Sequence, residues 1–147
     1  MTRRLMAALG LVVSLTAVGC ADPVPHAEVK LRVNEFSIHL APGAANEGTV
    51  KMFVDNVGRL DNNLVFVRAR HASDLPLAPD GSVDLSKVQV ADQLKPFGPG
   101  KYRIAPEFFP GPLIVFCNLV TKGPDGRPIS HFQKGMVAQL TIRATGS

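Results

Sequence analysis

The sequence contains few cysteines, few aromatic residues and no clustered acids. Of its 147 residues, two are cysteines and 6% are aromatic, whereas 46% are apolar. This composition suits one globular domain with a modest core. No pair of carboxylates stands out that could share general acid–base chemistry. We therefore expect no enzymatic activity.

The chain also lacks an apolar run long enough to span a bilayer. Arg3 and Arg4 precede an uncharged stretch, Leu5 to Val18, that is shorter than a membrane-spanning helix requires. A basic start, a short apolar centre and small residues at its end are typical of a secretory signal. The sequence therefore predicts a signal peptide over residues 1–19 and an exported protein.

The residues around the predicted cleavage point indicate that a lipid anchors the exported protein to a membrane. The ending "LTAVGC" resembles the lipobox of bacterial lipoproteins, in which the cysteine becomes the lipidated first residue. We predict lipidation of Cys20, with ordinary cleavage near the same point as the alternative. Residues 20–27 then form a tether, and residues 28–147 form the folded domain. The expected location is the periplasmic or cell-surface side of the bacterial cytoplasmic or outer membrane, with the lipid as membrane anchor.

The mature domain carries little net charge. The formal charge of the whole chain is +4, and loss of Arg3 and Arg4 with the signal peptide lowers it to +2. The sequence shows no basic cluster, so there is no electrostatic case for nucleic-acid binding. We expect the partners to be proteins or an ion.

No stretch has a helical period long enough to predict a helix. The 13 glycines and 12 prolines indicate many turns, and apolar residues mostly alternate with polar ones, as in strands. About seven strands predict an all-β fold, an antiparallel Greek-key β-sandwich. In the first strand the alternation shifts phase at Glu35-Phe36, which indicates a bulge or a strand that changes sheets. The main strand segments are residues 28–40, 48–57, 62–70, 86–97, 111–119 and 136–144.

Only one thiol remains if Cys20 carries lipid. Cys117 then cannot form an internal disulfide, so it is buried, paired with another chain or bound to a ligand. His131 and Met136 follow it, five residues apart. Thiolate, imidazole and thioether together suit copper and suit Mg²⁺ or Ca²⁺ poorly. The sequence therefore predicts a copper site formed by Cys117, His131 and Met136.

Each of these residues also has an explanation without metal. Cys117 could be a small core residue, His131 a surface-loop histidine and Met136 the first core residue of the last strand. A catalytic Cys117 with His131 as its base is disfavoured. A reactive thiol needs an exposed, electropositive setting, and Cys117 lies in the most apolar segment of the chain.

Three segments carry a family resemblance: "DNVGRLDNNLVFVRA" (55–69), "PGPLIVFCN" (110–118) and "HFQKGM" (131–136). They resemble the cupredoxins, the plastocyanin-like and sulfocyanin-like bacterial blue-copper proteins, and the likeness extends over nearly the whole mature domain. The resemblance implies a β-sandwich that holds one copper ion through the cysteine, histidine and methionine named above. It also implies single-electron transfer to a redox partner.

One position departs from the family pattern. That pattern reads Asn-x-Gly-x-x-x-His-Asn-Leu-Val, and its histidine is the first copper ligand. Here Asn56 and Gly58 are in place, but Asn62 occupies the ligand position. Its amide oxygen is a hard and weak ligand for Cu(I), so Asn62 is a doubtful ligand and the fourth corner stays open. Asn63 and Asn118 are expected to support the ligands by hydrogen bonds between their loops.

Three functions are compatible with this sequence. The first is an electron carrier with a type 1-like copper site and a redox protein as partner. The second is a three-ligand Cu(I) protein that binds copper or delivers it to a copper-handling partner, because a sulfur-rich site favours Cu(I). The third is a copper-free Greek-key binding module in which the same residues only pack.

Overall fold

The structure, a computed structural model, describes residues 28–146. The predicted signal peptide, the tether and Cys20 lie outside the described residues. In the described part of the chain, no helix is long and apolar enough to cross a membrane. Among residues 28–146, two 3₁₀ helices span Ala72–Asp74 and Leu85–Lys87. The strands are β1 (Glu28–Asn34), β2 (Ser37–Ala41), β3 (Ala44–Asn46), β4 (Gly48–Thr49), β5 (Lys51–Asn56), β6 (Asn62–Arg68), β7 (Val90–Phe97), β8 (Gly100–Ile104), β9 (Glu107–Phe108), β10 (Gly111–Phe116), β11 (Val120–Lys122), β12 (Pro128–Ser130) and β13 (Val137–Arg143).

Two sheets form the body of the domain. One contains four strands in the order β2-β1-β5-β8, and the other five in the order β3-β13-β10-β6-β7. Most neighbours run antiparallel, but β1 with β5 and β13 with β3 are parallel. The parallel pairs arise because the chain crosses to the second sheet through β3 before β5 returns to the first. The predicted all-β sandwich is confirmed, and its sheets are mixed.

The phase shift in the first predicted strand is a hairpin turn. β1 and β2 pair antiparallel with Asn34 opposite Ser37, so Glu35 and Phe36 form a two-residue turn. Phe36 has a φ of 59°, a left-handed conformation found in tight turns. The expectation of a bulge or a strand that changes sheets is therefore wrong. A turn of two residues reverses the chain and resets the alternation.

The main core lies between the two sheets. In β1, the inward residues Val29, Leu31 and Val33 are buried and alternate with exposed ones, as the two-residue period of a strand requires. Buried residues from both sheets join this core, and Cys117 and Met136 are among them.

A second core covers the outer face of the five-stranded sheet. The segment between β6 and β7 folds over this face and packs Leu75 and Val83 against β6 and β10. Both strands are therefore buried on their two faces. This explains why their sequences are apolar without alternation.

A small hairpin separates the end of β10 from the last strand. β11 and β12 pair antiparallel, with Val120 opposite Ser130, and the turn sequence "GPDGR" (residues 123–127) joins them. The first residue after β10 and the first residue after β12 are Cys117 and His131. The fold thus places Cys117 and His131 at the same end of the sandwich, next to Asn62, where β6 begins.

Candidate metal centre

Three side chains converge at this end of the sandwich. Cys117 Sγ lies 3.4 Å from His131 Nδ1 and 3.6 Å from Asn62 Oδ1. The nitrogen and the oxygen are themselves 3.3 Å apart. The sulfur, nitrogen and oxygen atoms therefore form a nearly equilateral triangle, which we call the donor triangle.

The dimensions of the donor triangle suit a shared metal ion. The contact between His131 Nδ1 and Asn62 Oδ1, at 3.3 Å, is at the long end of the range for a hydrogen bond. A point equidistant from the three atoms lies about 2 Å from each. Nitrogen and oxygen donors bind zinc at about 2.0–2.2 Å, and thiolate sulfur binds zinc at about 2.3 Å. The thiol is within hydrogen-bond distance of the imidazole and of the amide oxygen, and the same spacing leaves room for a d-block metal ion at the centre of the triangle.

The Asn62 amide presents its oxygen, not its nitrogen, to the donor triangle. Asn62 Nδ2 donates to the Leu60 carbonyl at 3.2 Å, which leaves Oδ1 on the side of the triangle. The same carbonyl accepts a 3.0 Å hydrogen bond from Asn56 Nδ2, and Asn56 Oδ1 accepts one from the Gly58 N–H at 3.1 Å. Asn56 and Gly58, the residues that match the family pattern, thus hold the loop that leads into Asn62.

The backbone connects Met136 directly to the triangle residues. The Cys117 N–H donates to the Met136 carbonyl, and the Met136 N–H donates to the His131 carbonyl, both at 3.1 Å. The Met136 side chain is fully buried in the main core. Between His131 and Met136 the chain turns at Gly135, whose φ of 104° favours glycine. The structure therefore places the Met136 backbone beside Cys117 and His131, and the role of its thioether as a ligand stays a prediction.

Asn63 and Asn118 link the loops around Cys117. The Asn63 N–H points to Cys117 Sγ at 3.4 Å, and Asn63 Oδ1 accepts from the Asn118 N–H at 2.7 Å. The Asn118 side chain turns the other way. It accepts from the Val83 N–H at 2.7 Å and donates to the Val83 carbonyl at 3.0 Å. These hydrogen bonds hold the chain at Cys117 and Asn118 between β6 and the segment that connects β6 to β7.

The donor triangle is closed to solvent. Cys117 and His131 are 0% exposed, and Asn62 is 1% exposed. Burial raises the pKa of the Cys117 thiol and lowers the pKa of the His131 imidazole, because burial disfavours the charged form of each group. Both side chains are therefore held in their neutral forms.

Two contacts cover the imidazole from outside. His131 Nε2 lies 3.4 Å from Thr121 Oγ1 on β11, and the Phe36 ring packs edge-on with its centroid 5.3 Å from that of the imidazole. Sequence reasoning missed both residues. Their positions depend on how two hairpins fold back over the site, which no local pattern reveals.

Solved structures share this architecture. Reduced auracyanin from the photosynthetic bacterium Roseiflexus castenholzii matches with a TM-score of 0.56 and 17% identity, over 81% of this chain and 98% of that chain. Reduced rusticyanin matches with a TM-score of 0.52 and 12% identity, over 79% and 78%. Auracyanin A from Chloroflexus aurantiacus, described as a blue copper protein, matches with a TM-score of 0.50 and 13% identity, over 79% and 99%. No protein-family model and no curated protein matches the chain. The chain has the cupredoxin fold.

In this cupredoxin-fold protein, the other described histidines lie outside the donor triangle. His39 is on the exposed face of β2, and His71 is exposed before the first 3₁₀ helix. Neither supplies a second imidazole. Between residues 28 and 146, no three His, Cys, Asp or Glu side chains gather into a metal site, and the donor triangle contains two of these residue types and an amide. The donor triangle with Met136 is therefore the metal-site candidate of the described chain.

Proposed function

We propose that this protein binds one copper ion through Cys117, His131 and Asn62, with Met136 beside them, and carries single electrons. The donor triangle is the observation that carries the proposal, because three different donor atoms meet at nearly equal separations in a solvent-free end of a cupredoxin fold. Copper held there would supply a one-electron couple between Cu(I) and Cu(II). The match to a blue copper protein supports the same reading.

Each residue contributes a distinct property to such a site. Burial keeps the Cys117 thiol protonated, so metal binding must release its proton. The His131 imidazole is neutral and offers Nδ1 when Nε2–H donates to Thr121. Met136 adds a weak, polarisable thioether, and Asn62 adds a hard oxygen that favours Cu(II) more than Cu(I).

The backbone around the site favours electron transfer because it resists rearrangement. Cys117, Met136 and His131 are joined in sequence by two backbone hydrogen bonds, and Asn63 ties Cys117 to β6. Ligands held in this way keep nearly the same positions in both oxidation states. A small rearrangement lowers the barrier to electron exchange.

A Cu(I) binding or delivery protein is the second candidate. It is favoured by the donor set, which contains one imidazole and two sulfur side chains. Such a set holds Cu(I) better than Cu(II). Full burial of the triangle argues against rapid hand-over of the ion.

A copper titration separates these functions. The protein is titrated with Cu(II) and then with Cu(I), while visible absorption and bound copper per chain are measured. We expect an intense thiolate-to-Cu(II) band at one copper per chain, and its loss in Cys117→Ser. A colourless protein that holds one Cu(I) would assign binding or delivery instead. Failure to bind either ion would reject both functions.

A matched pair of methionine variants tests the thioether. Met136→Leu and Met52→Leu both remove a fully buried sulfur from the same core, but only Met136 is joined to the donor triangle. We expect Met136→Leu to shift the absorption band and the reduction potential, and Met52→Leu to leave both unchanged. Equal effects would show that Met136 only packs.

A further inference from the structure

The outer face of the four-stranded sheet carries the excess positive charge of the described chain. The whole sequence has 16 Lys and Arg and 12 Asp and Glu. Arg3, Arg4 and Asp22 precede residue 28, which leaves 14 basic and 11 acidic residues, an excess of three. The outer face alone has five basic and two acidic residues, so the rest of the described surface is balanced. The basic residues are Lys30, Arg32, Lys51, Lys101 and Arg103, and the acidic ones are Glu28 and Asp55.

Strand register assembles this basic face from residues that are far apart in sequence. Lys30 lies beside Phe53 on β5, and Phe53 lies beside Arg103 on β8. One row along, Arg32 and Lys101 lie on either side of Asp55. Side chains opposite one another on neighbouring strands are within about 5.5 Å at Cβ. These basic residues are dispersed along the sequence and become neighbours only in the folded chain.

The basic face is also grooved. A groove of about 570 Å³ runs across it and includes Phe53 in its lining. The Arg103 guanidinium carbon lies 5.0 Å from the centroid of the Phe53 ring, and this cation–π contact favours a fixed position for the arginine. A partly buried aromatic ring beside an arginine is a composition that is enriched at protein interfaces.

We propose that the basic face docks an acidic protein surface that presents carboxylates around an apolar side chain. Arg32 and Arg103 are suited to carboxylates because a guanidinium can donate two parallel hydrogen bonds. A concave groove suits a protruding protein segment better than the flat surface of a bilayer. This inference goes beyond the copper site and is independent of it, since no residue of the face belongs to the donor triangle.

The size of the face predicts a short-lived complex. Three gaps between strands and seven residues along a strand give roughly 14 by 23 Å, or about 300 Å². A stable interface buries about 800 Å² on each partner, and weak redox encounters bury less. We therefore expect an affinity that depends strongly on ionic strength, because exposed charges are screened by salt.

Two acidic peptides serve as probes. One has a phenylalanine between two runs of five glutamates, and the other has alanine in its place. Each is titrated into the copper-free full chain at low and high salt. We expect the phenylalanine peptide to bind at least about threefold more tightly, with the preference lost in Phe53→Ala. NMR amide shifts should change in β1, β5 and β8. Shifts centred elsewhere would overturn the proposal.

Paired charge reversals distinguish this face from net charge. Lys30→Glu with Lys101→Glu alters the basic face, whereas Lys95→Glu with Lys122→Glu makes the same charge change at exposed lysines elsewhere. We expect about tenfold weaker peptide binding in the first double variant and less than threefold in the second. Equal losses would overturn the proposal. So would binding to phosphatidylglycerol–phosphatidylcholine vesicles that exceeds peptide binding and is lost in the first variant, because the face would then meet a membrane.

Discussion

The two sheets of the sandwich differ in how many of their faces are buried. The four-stranded sheet has one buried face, as the strict alternation of buried and exposed residues along β1 shows. The five-stranded sheet is covered on both faces at β6 and β10, because a second core lies outside it. The donor triangle is attached to the doubly buried strands, whereas the basic face belongs to the sheet that stays open. Burial on two faces restricts movement near the donor triangle, whereas the side chains on the open face remain exposed to solvent.

The largest expected effect comes from replacing one phenylalanine in each sheet by alanine. Phe116 is fully buried in the second core and packs against Phe132, so Phe116→Ala should cost about 3–5 kcal/mol of unfolding free energy. Phe53→Ala on the open face should cost about 1 kcal/mol or less. Urea denaturation of the copper-free protein measures both. Similar costs would mean that the outer cover contributes little to stability.

The sequence predicts the sandwich, which is confirmed, and a set of ligands, which stays a prediction, because both leave local signals. Alternating residues mark the four-stranded sheet, the uninterrupted apolar run before Cys117 marks a doubly buried strand, and the spacing of His131 and Met136 marks the site. The turn at Glu35-Phe36 was misread because a two-residue hairpin and a bulge shift the alternation in the same way. The basic face and the contact from Thr121 depend on the register of distant strands, which composition and spacing do not encode.

The next effect concerns the missing imidazole on the doubly buried strand β6. Asn62→His replaces the amide oxygen of the donor triangle with an imidazole. It should raise Cu(II) affinity by at least about tenfold, since even residues that only support ligands alter metal affinity about 10–100-fold. The larger ring in a site that is 1% exposed should cost about 1–3 kcal/mol of stability. Visible absorption during Cu(II) titration and urea denaturation check the two effects.

The control for this variant adds a histidine to the open sheet. Glu28→His places an imidazole at an exposed position of β1, at the end of the strand opposite the turn whose Phe36 covers His131. It should leave the thiolate-to-Cu(II) band unchanged. If it strengthens that band as much as Asn62→His does, the gain would come from surface binding and not from the triangle.

A smaller effect is expected at the hairpin that covers His131. Thr121→Val keeps the shape of the side chain but removes the hydroxyl near His131 Nε2. Loss of that partner should cost about 1 kcal/mol of unfolding free energy, and the visible band of the copper-bound protein should broaden as the ring loses its orientation. Thr121→Ser keeps the hydroxyl and should restore both properties. A serine variant that behaves like valine would indicate that only packing matters here.

The smallest effect is a dependence of stability on pH that arises from the buried histidine. Burial lowers the pKa of His131 from its ordinary value of 6.5, so below that pH the unfolded chain takes up a proton that the folded chain does not. Its contribution to stability is therefore present above pH 6.5 and is lost as the pH falls through the lower folded pKa. The unfolding free energy of the copper-free protein should fall between pH 7.5 and 5. His131→Gln should flatten this dependence, whereas His39→Gln on the open sheet should retain it, because the buried imidazole remains. If the unfolding free energy of His131→Gln falls with decreasing pH as steeply as that of the unaltered protein, another group causes the dependence. Burial of the imidazole at the donor triangle would then not explain the sensitivity to acid.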